Sequence, residues 1–165
     1  MDWEDLICSK RLGSKSTTKT TGRSRFQRDY DRIIFSSAFR RLQDKAQVVT
    51  LAESDYVRTR LTHSLEASSV GRSLGTEVGL KLTHKKLFAA DLGAIVAAAT
   101  ISHDIGNPPL GHSGEHAIQY WFKNSSTAKA ALKVIDKKRQ HDFLDFEGNA
   151  QGFRILTRLQ NPKNR

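Results

Sequence analysis

The sequence predicts an all-α domain, and three observations support that fold class. Apolar residues recur at intervals of three and four through most segments after residue 28, which is the spacing of an amphipathic helix. Residues 87–103 are dense in alanine, and such small side chains let neighbouring helices approach closely. No alternation of strand-like and helical segments, no heptad run and no internal repeat is visible, which leaves a helical fold as the economical interpretation.

The composition limits the class of protein. A length of 165 residues suits one domain. Cys8 is the single cysteine, so an intrachain disulfide is impossible and a cytoplasmic location is expected. The most apolar stretch, residues 92–101, is too short to span a bilayer, so we expect no membrane partner.

The charge indicates a polyanionic partner without identifying it. The formal net charge is +10, and such a positive field attracts nucleic acid, nucleoside triphosphates or an acidic lipid surface. Much of the excess lies in residues 10–28 and 129–139. These two segments could equally be an ordinary solvated arm and a solvated helix face.

The chain divides at about residue 24. Residues 1–24 contain most of the run KRLGSKSTTKTTGRSR, which has almost no apolar side chain and predicts a flexible basic N-terminal arm. Residues 25–165 form the predicted helical domain. Its first core helix is predicted from Asp29, because Tyr30, Ile34, Ala38 and Leu42 follow at helical spacing. Residues 47–55 could form a short strand or an extended link.

Two longer helices are predicted in the middle of the chain. The first runs from about residue 58 to residue 82, and its apolar stripe predicts the buried face. That stripe consists of His63, Ala67, Val70, Leu74 and Val78. The second covers residues 87–103 and stops at the following Gly-Asn-Pro-Pro turn. Later helices are predicted at residues 115–122, 128–139 and 150–160.

The densest group of reactive side chains is residues 103–115, which read HDIGNPPLGHSGE. His103 and Asp104 are adjacent at a helix end, where both could reach one ion, and His63 could approach from the neighbouring helix. Imidazole nitrogens and carboxylate oxygens suit a divalent metal with an open coordination position. A core histidine and a chance His-Asp pair explain the same residues, so these three alone leave the metal site open.

Four segments carry a wider resemblance. They read FQRDYDRIIFSSAFRRLQDKAQV, RTRLTHSLEASSVGRSLG, ISHDIGNPPLGHSGE and FEGNAQGFRILTRL. In this order and spacing they resemble the HD-domain phosphohydrolases, and more closely the deoxyguanosine triphosphate triphosphohydrolase family. The resemblance implies an all-helical HD domain in the bacterial cytoplasm. It also implies hydrolysis of a dNTP, with dGTP favoured, to deoxynucleoside and tripolyphosphate by a metal-activated water that attacks the α-phosphorus.

The resemblance also implies roles for individual residues. His63, His103 and Asp104 match metal ligands for a divalent ion such as Mg²⁺ or Mn²⁺. His112 and Glu115 match a catalytic pair, in which Glu115 orients the imidazole that protonates the leaving oxygen or assists attack. The implied substrate-binding residues are Arg60, which would clamp phosphate, and Gln47 and Val48, which would contact deoxyribose.

One expected feature of the family is missing from this sequence. The HD site takes a fourth ligand, an aspartate that follows the FEGNAQ segment by several helices, and nothing after Asp145 can supply it. We therefore expect an HD domain that is incomplete at the C-terminus, and little or no activity from the isolated chain. The family also implies a homo-oligomer in the full-length form and a possible single-stranded nucleic acid effector.

Two other functions fit the same residues. A basic nucleic-acid-binding HD module without turnover would explain the charge, but it has no need for the five motif residues. Another HD nucleotide phosphohydrolase, acting on nucleoside monophosphates or cyclic nucleotides, would need the metal ligands. Arg60 and the pair His112 and Glu115 favour a triphosphate substrate.

Overall fold

The computed structural model describes residues 3–9, 22–47, 58–83 and 85–160. Within these ranges every named element is helical, and the one β pairing is an isolated antiparallel bridge between Ala46 and Thr59. The elements are α1 (Trp3–Leu6), α2 (Arg25–Ile34), α3 (Ser37–Arg40), a 3₁₀ turn (Arg41–Asp44), α4 (Arg60–Thr83), α5 (Lys86–Ser102), α6 (His112–Asn124), α7 (Ser126–Leu132), α8 (Lys137–Leu144), α9 (Gly148–Arg154) and a π-helical turn (Ile155–Leu159). The all-α prediction is confirmed. No helix in those ranges has both the length and the apolar character needed to cross a membrane.

The first predicted core helix is interrupted. α2 begins at Arg25 and ends at Ile34, and α3 starts three residues later. The break lies at Ser36, whose hydroxyl accepts a hydrogen bond from the amide of Phe39 at 3.2 Å and so caps α3. Beyond the break Phe39 and Leu42 are both buried. The apolar spacing continues across the break, but the Ser36 cap divides the predicted helix into α2 and α3.

Helices α4 and α5 form the central pair of the fold. The predicted limits of both helices are confirmed to within three residues, but the predicted buried face of α4 is wrong. Val70, Leu74 and Val78 are 60%, 57% and 48% exposed. The buried residues of α4 are Arg60, Ser64, Ser68, Gly71, Gly75 and Gly79. A small-residue face lets the α5 backbone come so close that a Cβ on Gly79 would lie 2.6 Å from Ala89 Cα.

A compact apolar cluster fixes the end of α5. Phe39, Leu42, Ile101 and Ile105 are buried together, and residues from α2, α4 and the π-helical turn cover them. Ile101 and Ile105 flank the His-Asp pair, so the packing of this cluster holds the backbone that carries both ligands.

The later helices differ from prediction mainly in their limits. The helix predicted at residues 128–139 is two helices, because Asp136 caps α8 through the amide of Arg139 at 3.0 Å. The helix predicted at residues 150–160 begins at Gly148 and finishes as a π-helical turn. Trp3–Leu6 is helical within the predicted arm, whereas residues 10–21 lie outside the described residues. The division at residue 24 stays a prediction.

Candidate metal centre and its surroundings

The three predicted metal ligands come together in the structure. His63 lies on α4, and His103 and Asp104 directly follow the end of α5. One potential ligand atom from each lies within 4.8 Å of the other two. The two imidazole rings meet edge to face with their centroids 5.3 Å apart. Two imidazoles and one carboxylate at this spacing can share a single cation.

The orientation of His103 is set by the backbone. Its Nδ1 lies 2.6 Å from the carbonyl oxygen of Thr100, so Nδ1 carries the proton and donates it to that carbonyl. The other ring nitrogen, Nε2, is then an acceptor and lies 3.5 Å from Asp104 Oδ2. A histidine whose one nitrogen is fixed by a carbonyl presents the other to a metal.

The two oxygens of Asp104 have different surroundings. Oδ1 accepts hydrogen bonds from Arg60 Nη1 at 2.8 Å and from Asn107 Nδ2 at 2.6 Å. Oδ2 is buried and has no hydrogen-bond partner. A buried carboxylate oxygen without a partner is costly, and a bound cation would remove that cost. The donor set and this orphan oxygen therefore fit a divalent metal.

Arg60 lies in the interior beside the ligand triad. Its side chain is 8% exposed, and its guanidinium is paired with Asp104. The guanidinium also lies against Gly111, where a Cβ would come within 2.6 Å of Nη2. Gly111 has a φ of 55°, a conformation that favours glycine. This contact joins the start of α6 to the centre.

Lys45 belongs to the same cluster, although the sequence analysis predicts no role for it. Its Nζ donates to the carbonyl oxygen of Asn107 at 2.6 Å. Burial lowers the pKa of Lys45, and the neighbouring Arg60 lowers it further, while Asp104 opposes both effects. The one signal in the sequence was that Lys45 lies inside the first segment of the family resemblance.

The predicted catalytic pair lies at the start of α6. His112 is its first residue and is exposed, whereas Glu115 is buried. Glu115 Oε1 accepts a hydrogen bond from the amide of Gly148 at 2.9 Å. The carboxylate thus joins α6 to the start of α9, and its orienting role toward His112 stays a prediction.

Comparison with known proteins matches this chain over nearly its whole length. It is 50% identical to a protein from Pseudomonas aeruginosa over 97% of the chain, and 49% identical to one from a Synechocystis species over 98%. A protein from Listeria innocua is 40% identical over 96% of the chain. All three are called deoxyguanosinetriphosphate triphosphohydrolase-like proteins. No family model matches the chain.

The chain is a homologue of the deoxyguanosinetriphosphate triphosphohydrolase-like proteins. The family resemblance drawn from the four sequence segments is therefore confirmed. The chain spans only 37–38% of the length of the three relatives.

The FEGNAQ segment closes one side of the site. Glu147 caps α9 by accepting hydrogen bonds from the amides of Asn149 and Ala150 at 3.0 and 2.7 Å. These bonds hold the pKa of Glu147 below its usual range, and His112 adds a smaller effect. The Asn149 side chain also donates to Glu147 Oε1. The segment also packs directly against the turn after α5, since a Cβ on Gly106 would collide with the backbone of Gly148 and Gly152.

We expect Glu147→Ala to destabilise the chain by about 1 kcal/mol at pH 7, the usual cost of a lost N-cap. A lowered carboxyl pKa adds stability above the ordinary Glu range, and that stability is lost as pH falls through the lower, folded-state pKa. The difference between variant and parent should therefore shrink below about pH 4.5. Urea unfolding at pH 7 and below about pH 4.5 measures this difference in stability. Glu66→Ala is the control, because Glu66 caps no helix. An equal loss in both variants at pH 7 would contradict the cap.

The two residues predicted to contact deoxyribose are Gln47 and Val48. The Gln47 amide donates to the Arg58 carbonyl at 3.1 Å, and its side-chain oxygen is buried without a hydrogen-bond partner. Gln47 thus lies beside the start of α4, and its contact with deoxyribose stays a prediction. Val48 lies outside the described residues. His116 and His141 are exposed and are not part of the triad.

Proposed function

We propose that this chain carries the catalytic face of a dNTP triphosphohydrolase, with dGTP as the first substrate to test. Water and the dNTP would give deoxynucleoside and tripolyphosphate, as the bond from the α-phosphorus to the 5′ oxygen breaks. One observation carries the proposal: the His63, His103 and Asp104 donors converge in a chain 50% identical to a triphosphohydrolase-like protein. The HD-domain assignment rests on the same resemblance.

The triad residues would hold the metal, with Asp104 Oδ2 and His103 Nε2 as two of the donor atoms. A divalent ion bound there would acidify a water molecule and draw electron density from a phosphoryl oxygen. His103 is 38% exposed at its side chain, so substrate and water can reach this side of the triad. Three protein ligands leave coordination positions open.

Arg60 and His112 would act on the substrate itself. Arg60 would hold a phosphate oxygen, as the family resemblance implies, because a guanidinium binds phosphate through paired N–H groups. Its Nε atom is buried and has no hydrogen-bond partner. His112 is exposed on the side of the site that Gly111 joins to Arg60. From there it would give a proton to the 5′ oxygen as the deoxynucleoside leaves.

The reaction is tested by incubating the purified chain with dGTP and Mn²⁺ in ¹⁸O water and following the products by ³¹P NMR and mass spectrometry. We expect slow, chelator-sensitive formation of deoxyguanosine and tripolyphosphate in equal amounts, with the label in tripolyphosphate. His112→Ala should lower the rate by about 100-fold or more, the usual contribution of a general acid or base. His116→Ala, on the same helix, should leave it unchanged. Products other than tripolyphosphate, or unlabelled tripolyphosphate, would overturn the proposal.

A nucleic-acid partner remains a second candidate, and one surface favours it. An apolar cavity of about 310 Å³ is bordered by Lys123, Lys129 and Lys133, where aromatic bases and phosphates could both find contacts. Binding of a single-stranded oligonucleotide should then weaken steeply with salt and be insensitive to chelator. Replacing the three lysines with glutamine should reduce the salt dependence. An unchanged slope would remove this surface from consideration.

A further inference from the structure

Four residues around the candidate metal centre are joined in a closed ring of hydrogen bonds. The Arg60 amide donates to the Lys45 carbonyl at 2.8 Å, and Arg60 Nη1 donates to Asp104 Oδ1 at 2.8 Å. Asn107 Nδ2 donates to the same Oδ1 at 2.6 Å, and Lys45 Nζ donates to the Asn107 carbonyl at 2.6 Å. The ring therefore begins and ends at Lys45.

We infer that Lys45 is a positioning residue for the metal centre, acting through Asn107 on Asp104. With Oδ1 occupied by two donors, the carboxylate is held so that Oδ2 is the oxygen left facing His103 Nε2. The inference rests on the proposed function, because it concerns the metal site proposed there.

The Lys45 ammonium group holds the turn that contains Asn107. Asn107 follows the His-Asp pair in a turn outside regular helix, so its side chain reaches Asp104 only while the turn keeps its shape. Lys45 ties that turn to a segment 62 residues earlier in the chain. Without the ammonium, the Asn107 carbonyl loses this charge-assisted bond. The amide on Oδ1 is then free to move, and the carboxylate can turn.

The expected effect is a weaker metal site in a folded protein. Residues that orient metal ligands typically change metal affinity by about 10- to 100-fold when removed. We expect a loss in this range for Lys45→Met. Lys45→Arg keeps a cationic donor of similar reach, so it should recover most of the affinity.

The test uses the full 165-residue chain and Co²⁺ alone, followed by isothermal titration and by the visible absorption spectrum of the bound ion. Lys81→Met is the control, because Lys81 is an exposed lysine that pairs with Glu77 on the same helix. Urea unfolding of each variant confirms that the titrations compare folded proteins. The spectrum reports ligand geometry, which a general loss of stability would not alter.

Weaker binding and a changed spectrum in Lys45→Met, with recovery in Lys45→Arg and no effect of Lys81→Met, would support the inference. Binding and spectrum equal to those of the parent in folded Lys45→Met would overturn it, while the metal centre itself would stand. Binding that persists unchanged in His103→Ala would overturn the proposed metal centre and this inference together.

Discussion

Arg60→Met is expected to destabilise the chain by about 3–5 kcal/mol, the cost of removing one partner of a buried ion pair. The side chains of Arg60 and Asp104 are 8% and 5% exposed, so water cannot replace the lost charge. Asp104 would keep the Asn107 hydrogen bond but would lose the guanidinium that now donates to Oδ1. Because whole domains are stable by only about 5–15 kcal/mol, this variant should be close to unfolding at room temperature. Urea unfolding monitored by far-ultraviolet circular dichroism measures the change.

Arg58→Met is the matched control for this prediction. Arg58 lies two residues earlier and pairs with Glu66 at 3.0 Å, but both side chains are more than half exposed. Such surface pairs contribute about 0–1 kcal/mol, so the control should be nearly neutral. Adding Asp104→Asn to Arg60→Met should restore part of the stability, since the stranded charge is gone. Similar losses in the two arginine variants would contradict the buried pair.

The sequence predicted the helices better than it predicted which of their faces would be buried. For α4 the limits were right, yet the stripe of Val70, Leu74 and Val78 is exposed and the glycine and serine face is buried. Hydrophobic periodicity locates an apolar stripe, but it does not register how closely two backbones can approach. The closeness of α4 and α5 depends on small residues on both helices, and each reads as neutral in a hydropathy pattern.

The same limit applies within the candidate site. Two ligands of the triad are adjacent in sequence and the third matches a ligand position of the family, so their convergence could be predicted from local pattern and resemblance. The contacts of Lys45 and Glu115 could not be predicted that way, because each residue bonds to a segment far along the chain, at Asn107 and Gly148. The orientation of Glu115 depends on its contact with the distant FEGNAQ segment. The spacing of three residues between His112 and Glu115 does not predict that contact.

The charges around Asp104 would favour the polyphosphate substrate that we propose. Lys45 and Arg60 bring two cations to one buried carboxylate, and the lowered pKa of Lys45 reflects that crowding together with burial. A divalent metal would add further positive charge. Cations held this closely in a low-dielectric site are costly until an anion joins them, and a nucleoside triphosphate supplies several negative oxygens at once. Substrate and metal should therefore bind with positive cooperativity.

Metal binding is expected to raise the free energy of unfolding substantially. Free Mn²⁺ at 100 times its dissociation constant should stabilise the chain by about 2.7 kcal/mol, because the ion binds the folded state. Thermal unfolding should then move by about 5–10 °C for a chain of this size. His103→Ala should abolish the shift, since it removes the ligand whose orientation the Thr100 carbonyl fixes.

His141→Ala is the control for that experiment. His141 is an exposed histidine that pairs with Asp145 at 2.7 Å, on α8 and away from the triad. It can bind Mn²⁺ weakly as any surface histidine can, so a shift that depends on His141 would show that the ion acts at the surface. A shift that survives in His141→Ala and disappears in His103→Ala assigns the ion to the triad.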